Sequence, residues 1–400
     1  QWRDRKPLSH LLSQKQRSSS TVSKMAVTEA AGHGWMVLLR WLRAQGCPIE
    51  PAAVENGAKA AARGGHREVI DWLMRRYAKS FSFPFACKGA ARGGHFDLLK
   101  WLIEEEEKAP TETPKHNTND ILKAAARGGS MEIVKWFVEE RKGSSFYGQS
   151  MIIKAAARGG HLELMKFLMN EKKWSGSDGA TCAAAARGGH LEVLRLLREF
   201  GVPWDERTCA RAAMGGHLGV LKWARENGCK WSEDVCASAA CGGHLEVLKW
   251  AREQGGCPWD STTAYHAAVG GHLEVLKWAL EKGCPWHNSL VLKAAIEGRL
   301  KVLQWVSTYK DAGFWNLRSC LVAASSHGYL EMVVWAREAG SEWHDRMCQW
   351  AASGGHLGVL KWVREQGCPW SKEACLKEAT LHNRPHVVQW ILSQQQDQTT

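Results

Sequence analysis

The stretch GGHLGVLKWARENGCKW, Gly215–Trp231, is one copy of a unit that fills most of this chain. Close copies begin at Gly242 (GGHLEVLKWAREQGGCPW), Gly270 (GGHLEVLKWALEKGCPW) and Gly354 (GGHLGVLKWVREQGCPW). The slot held by His217 recurs at Trp35, His66, His95, Ser130, His161, His190, His244, His272, Arg299, Tyr329, His356 and Arg384, thirteen positions in all. From His190 onward the spacings are 27 or 28 residues with one of 30, and before it they run from 29 to 35, so the N-terminal half carries loop insertions. Fixed-period self-similarity marks a repeat array. It overrides the two or three globular domains that 400 residues would otherwise suggest.

Each unit reads as two short helices. Asp205 offers a carboxylate to the first unpaired backbone N–H groups of a helix. Cys209, Ala212 and Ala213 then give a narrow stripe of small apolar residues at i, i+3, i+4. Gly215-Gly216 breaks that helix, since glycine tolerates the left-handed conformation helix ends often need. After His217, residues Leu218, Val220, Leu221, Trp223 and Ala224 form a wide apolar face, and Gly228 ends the second helix before the next cap, Ser232. One such hairpin cannot bury its apolar face alone, so the units are expected to stack as a quasi-one-dimensional solenoid.

The run AARGGHLEVLRLLREFGVPWD, Ala185–Asp205, resembles the core of an ankyrin repeat in its paired alanines, its glycine before the histidine, its L-x-V-L helix and its loop glycine. The likeness extends over residues 25–393. It implies an all-α, ankyrin-like α-solenoid of about thirteen stacked helix-turn-helix repeats. It also implies a non-enzymatic scaffold that binds a protein or peptide along a concave face made by the first helices and short loops. Two features depart from the family. Thr208-Cys209-Ala210 stands where the T-P-L-H start belongs, and the unit is shorter than the usual ~33 residues. The deficit falls where ankyrin repeats carry a β-hairpin finger, so that finger is expected to be reduced or absent.

Composition narrows the class further. No apolar run is long enough for a transmembrane helix. The thirteen cysteines sort mostly into two repeat slots, one early in the first helix (Cys209, Cys236, Cys348) and one after the second helix (Cys229, Cys257, Cys368). Val202 and Ser341 share the second slot, which points to small buried residues rather than disulfides or zinc. The pairs Cys229/Cys236 and Cys368/Cys375 are isolated C-x6-C spacings. Thiols of this kind suit a reducing, intracellular compartment, the cytoplasm first, with nucleus or organelle left open. Nothing in the chain calls for a cofactor: no P-loop, G-x-G-x-x-G, H-E-x-x-H or G-x-S-x-G is present. The chain is therefore read as a non-enzyme and a monomer.

Net charge is +12, and six Lys/Arg against Asp4 in residues 1–25 supply much of it. Residues 1–24, basic and Ser-rich, are expected to be disordered. They are either a weak targeting segment or upstream sequence of no structural meaning. The tail 394–400 is polar. The insertion from Glu104, EEEEKAPTETPKHNTND, reads as an exposed loop, with acidic residues at a helix C-terminus that should make that helix fray.

Two residue series are candidate partner sites. Arg63, Arg92, Arg127, Arg158 and Arg187 hold the last position of the first helix in five consecutive units, where later units place Met214, Cys241, Val269 and Ile296. A cation at a helix C-terminus gains only about 0.3–1 kcal/mol, and that does not explain why the series stops. An anion-preferring surface does. The loop tryptophans Trp204, Trp231, Trp259, Trp286 and Trp370 are secondary candidates: packing is their first reading, an interface ladder their second. An RNA- or polyanion-binding solenoid using the arginine row is the alternative to the protein scaffold. The mild, spread charge of the array makes nucleic acid the weaker choice.

Overall fold

A computed structural model describes residues 19–47, 49–109, 115–139, 148–174, 178–309 and 317–394, with side chains from residue 25 onward. The described residues are helical and contain no strand. The chain divides into two compact units, residues 1–208 and 209–400. The boundary falls inside the helix Glu206–Gly215.

In the first unit the helix pairs are Ser19–Gly32 with Met36–Ala44, Pro51–Arg63 with Arg67–Arg76, and Phe83–Gly93 with Phe96–Lys108. Thr118–Gly128 with Met131–Glu139, Gln149–Gly159 with Leu162–Glu171, and Gly179–Gly188 with Leu191–Glu199 follow. The second unit repeats the plan from Leu218–Glu226, through Asp234–Gly242 with Leu245–Gln254 and Ser261–Gly270 with Leu273–Glu281. It closes with Lys372–Leu381 and Pro385–Ser393. Two of the second helices finish in a π-turn, at Phe167–Glu171 and Trp250–Gln254. The array begins earlier than residue 25, because the first helix starts at Ser19; residues 1–18 and 395–400 lie outside the described residues. No finger hairpin forms among the described residues, as the short unit implies.

Stacking rests on small residues. Within each unit the first helices lie closely against the first helices of the next repeat, while second helices make far fewer neighbour contacts. The paired alanines Ala61/Ala62, Ala90/Ala91, Ala125/Ala126 and Ala156/Ala157 are fully buried in these seams. The second helices contribute the larger side chains, such as Ile70, Leu73, Leu99, Leu102 and Phe137, all at most 1% exposed. Where a second helix carries glycine on its free side, packing is not at stake. An added Cβ at Gly219 meets nothing within 4 Å. Gly219→Ala, in the first turn of the helix Leu218–Glu226, should therefore raise stability by about 0.4–1 kcal/mol by restricting the unfolded chain, read as a higher denaturation midpoint at unchanged m-value.

The G-G-H segment is one inter-repeat joint. The slot histidine makes no cap bond to its own helix. Its Nε2–H instead donates to the last carbonyls of the preceding repeat's first helix: His66 to Gly32, His95 to Arg63, His161 to Arg127 and His190 to Arg158. In the second unit His244 reaches Met214, His272 reaches Cys241 and His356 reaches Ser326. All these bonds span 3.0–3.2 Å. Other donors fill the slot where histidine is missing: Arg299 Nε to Val269, Tyr329 Oη to Ile296 and Arg384 Nε to Ser353.

Both glycines follow from that joint. At Gly159 a Cβ would sit 2.5 Å from Cδ2 of the repeat's own His161 and 2.7 Å from the Arg127 carbonyl oxygen. The second glycine, as at Gly65, has φ +78, and a Cβ there would sit 2.8 Å from the next repeat's His95 ring. Where the slot residue is Trp35, Arg299, Tyr329 or Arg384, the first glycine is replaced by His33, Glu297, His327 or His382.

Two expectations need correction or sharpening. The helix through Glu104–Glu107 does not fray before its acidic run; it continues to Lys108. Glu106 turns inward, 2% exposed, and accepts the His116 backbone N–H at 2.8 Å and its imidazole Nδ1–H. This clasp closes the base of the insertion, whose residues 110–114 are outside the described set. The thiols face partners within a repeat, twenty or so residues apart, and not across the C-x6-C spacings. Cys209, Cys236 and Cys348 are pushed up by hydrogen bonds to Cys229, Cys257 and Cys368 and by burial. No disulfide forms among the described residues, and burial alone lifts Cys320 to about 12.

Burial holds His356 below the usual histidine range; Arg384, His327 and His386 add to that, against the Ser326 hydrogen bond. The unfolded chain therefore takes up this proton first as pH falls. Stability from this site is complete above the unfolded pKa of about 6.5 and declines as pH drops toward the depressed folded value. The drop in denaturation midpoint between pH 7.5 and 5.5 should be smaller in His356→Gln than in the parent chain.

Candidate functional site

The five arginines Arg63, Arg92, Arg127, Arg158 and Arg187 all lie at the ends of first helices in the residue 1–208 unit. Arg63 and Arg158 are exposed, and Arg92, Arg127 and Arg187 are half-buried. The joint described above fixes their backbone, because the carbonyls of Arg63, Arg127 and Arg158 are the atoms that His95, His161 and His190 hold. At Arg92 the neighbouring Ala91 carbonyl is held instead, by Ser130 Oγ at 2.8 Å. Arg63, Arg92 and Arg127 form no ion pair among the described residues. Burial first, then the charges of Arg63 and Arg158, hold Arg92 below its usual pKa. These groups are therefore close enough to repel one another, and no carboxylate offsets the repulsion at Arg92. A surface of this kind favours an external anion.

The loop tryptophans occupy a different environment. Trp204, Trp231, Trp259, Trp286 and Trp370 are half-buried, and Trp174 in the same slot is 7% exposed. The arginine of the preceding second helix lies over the ring: Arg198 on Trp204, Arg225 on Trp231, Arg252 on Trp259 and Arg364 on Trp370, at 4.5–4.7 Å. The same guanidinium groups donate to the loop carbonyls of Val202, Cys229, Cys257 and Cys368. On the other side the ring meets the second-helix tryptophan of the next repeat, Trp231 on Trp250 at 5.9 Å and Trp259 on Trp278 at 5.8 Å. Trp286 lacks the arginine, because Leu280 holds that position, and it stacks on Tyr309 at 6.2 Å. Each ring is thus a cross-brace between repeats. The arginine brace was missed in the sequence, although an R-E pair six or seven residues before the loop tryptophan recurs at Arg198, Arg225, Arg252 and Arg364.

Among the described residues no three His, Cys, Asp or Glu side chains are grouped as a metal site needs, and no helix is long and apolar enough to cross a membrane.

The match to a known family agrees with the fold. The family profile described as ankyrin repeats (3 copies) matches residues 87–178 and 124–206. Residues 87–206 of the chain are thus similar to ankyrin repeats. A solved structure of a pentatricopeptide repeat protein from maize is similar at 14% identity and a TM-score of 0.34, covering 96% of this chain and 70% of that one. No curated protein sequence matches the chain.

Proposed function

We propose that the protein is a non-enzymatic interaction scaffold, and that a protein or extended peptide binds across the first helices of the residue 1–208 unit. The observation that carries this reading is the arginine row, held in place by the slot histidines and lacking carboxylate partners at Arg63, Arg92 and Arg127. The closer packing of first helices supports it too, since a stack so packed bends toward them and offers a concave side. The loop tryptophans contribute to the framework that holds the repeats in register. The test is affinity capture from cell extract with the full chain, with and without nuclease, at low and high salt, read by mass spectrometry. A discrete protein set that survives nuclease and moderate salt is expected. Capture that collapses with nuclease and falls steeply with salt would replace the scaffold by a polyanion binder.

A further inference from the structure

The arginine row is half of a larger feature. Four residues before the first four arginines, one turn along the same helices, stand Lys59, Lys88, Lys123 and Lys154. Residues i and i+4 share a helix face, so four stacked first helices each present a Lys-Arg pair, and Arg187 extends the row to a fifth. Against these nine cations the five helices carry two carboxylates, Glu55 and Asp120. In the other unit, the first helices from Asp234–Gly242 to Met347–Gly354 carry Asp234, Lys293 and Arg318 as their Lys, Arg, Asp and Glu residues, the part of Glu206–Gly215 beyond residue 208 adds Arg211, and in Lys372–Leu381 two lysines are balanced by Glu373 and Glu378. The basic face therefore belongs to one block of repeats and is not a property of the repeat itself.

Partnering along the lysine row alternates. Lys88 is paired with Asp120 at 2.6 Å and Lys154 with Asp178 at 2.7 Å, each on the following repeat. Lys59 and Lys123 are exposed and have no ion pair among the described residues. The only aromatic side chains on the five helices are Phe83, which is buried, and Phe85, which is half-buried with Lys59 and Lys88 each 5.9 Å from its ring.

We infer that this face takes an acidic, extended polypeptide segment with a carboxylate at about every third residue. The inference rests on the scaffold reading above and names the chemistry of its partner. Packed helices lie roughly 8–10 Å apart, and an extended chain advances about 3.3 Å per residue. One carboxylate per repeat therefore needs a step of about three residues, in register with Arg63, Arg92, Arg127 and Arg158. Bidentate guanidinium groups suit carboxylates in that arrangement. Single-stranded nucleic acid is disfavoured, because its non-specific readers stack successive bases on a series of aromatic rings. This face offers Phe85 alone. Phe85 and the exposed Met151 supply apolar contact for side chains between the acidic positions.

The test is fluorescence anisotropy with the full chain and a labelled fifteen-residue peptide, Glu-Gly-Ser repeated five times. The comparison probes are the Gln-Gly-Ser counterpart and a labelled fifteen-nucleotide oligouridine, all at one low salt concentration. The glutamate peptide should bind at least tenfold more tightly than either comparison probe. Arg127→Gln/Arg158→Gln should lose at least tenfold in affinity for it, at unchanged circular dichroism and melting temperature. Lys59→Gln/Lys123→Gln should lose more than Lys88→Gln/Lys154→Gln, whose charges are already partnered. Equal binding of the glutamine peptide, or tighter binding of oligouridine, would overturn the inference. If the glutamate peptide fails but Arg127→Gln/Arg158→Gln abolishes capture of the protein set from extract, the acidic class falls and the scaffold reading stands. If capture is also unaffected, both fall.

Discussion

Gly128→Ala should destabilise the protein by about 3 kcal/mol, although it adds one methyl group at a helix end. The added Cβ would lie 2.8 Å from the Arg92 carbonyl carbon and 3.0 Å from its Cα, and nearer still to the carbonyl oxygen. These are backbone atoms of the preceding repeat's first helix, so no rotamer change relieves the clash. The two helices must separate, and the fully buried Ala125 and Ala126 would lose their close packing. Overpacking a tight seam costs about 1–3 kcal/mol, and the absence of a movable side chain puts this site at the upper end. Gly201→Ala is the matched control. Gly201 has φ +69, but a Cβ there meets nothing within 4 Å. It should cost only the left-handed penalty of about 1 kcal/mol. Urea denaturation of both variants separates the terms, and equal losses would mean that the seam is looser than the structure shows.

Trp259→Ala is the second large effect, about 2–3 kcal/mol. The ring is half-buried, so the loss falls below the ~3–5 kcal/mol of a fully buried tryptophan. It has two faces to lose, the Arg252 guanidinium at 4.6 Å and the Trp278 ring at 5.8 Å. Trp41→Ala, at 49% exposure, should cost under about 1 kcal/mol. The comparison bears on what the loop series is for. A tryptophan kept only for a ligand would leave thermal stability unchanged on removal; a brace would not.

The repeat period, the two-helix unit and the small-residue seam were legible because each is a local pattern written thirteen times. The partner of the slot histidine was not, since its acceptor lies about thirty residues upstream and local spacing does not reveal which carbonyl it meets. A signal did exist. Glycine two positions before the slot accompanies histidine, and His33, Glu297, His327 and His382 replace it where the slot holds another long side chain. That covariation is the mark of a ring packed on its own turn. Glu106 was misjudged for a related reason: four consecutive glutamates look solvated until His116, ten residues later, closes on one of them. The arginine row could be read from sequence because it stops abruptly after Arg187. The lysines one turn earlier went unnoticed because their slot also holds Ala183 and, in the second unit, Ala210, Ala237 and Tyr265. What the face binds is a property of another molecule, and its chemistry entered only through the charges left without partners.

The most direct test of the account is paired affinity capture with the full chain and with Arg127→Gln/Arg158→Gln, after confirming equal melting temperatures. The account predicts a discrete, nuclease-resistant protein set on the parent chain that is largely lost on the variant. The same set recovered in equal amount on both would contradict it, and would move the binding surface away from the first helices of the residue 1–208 unit.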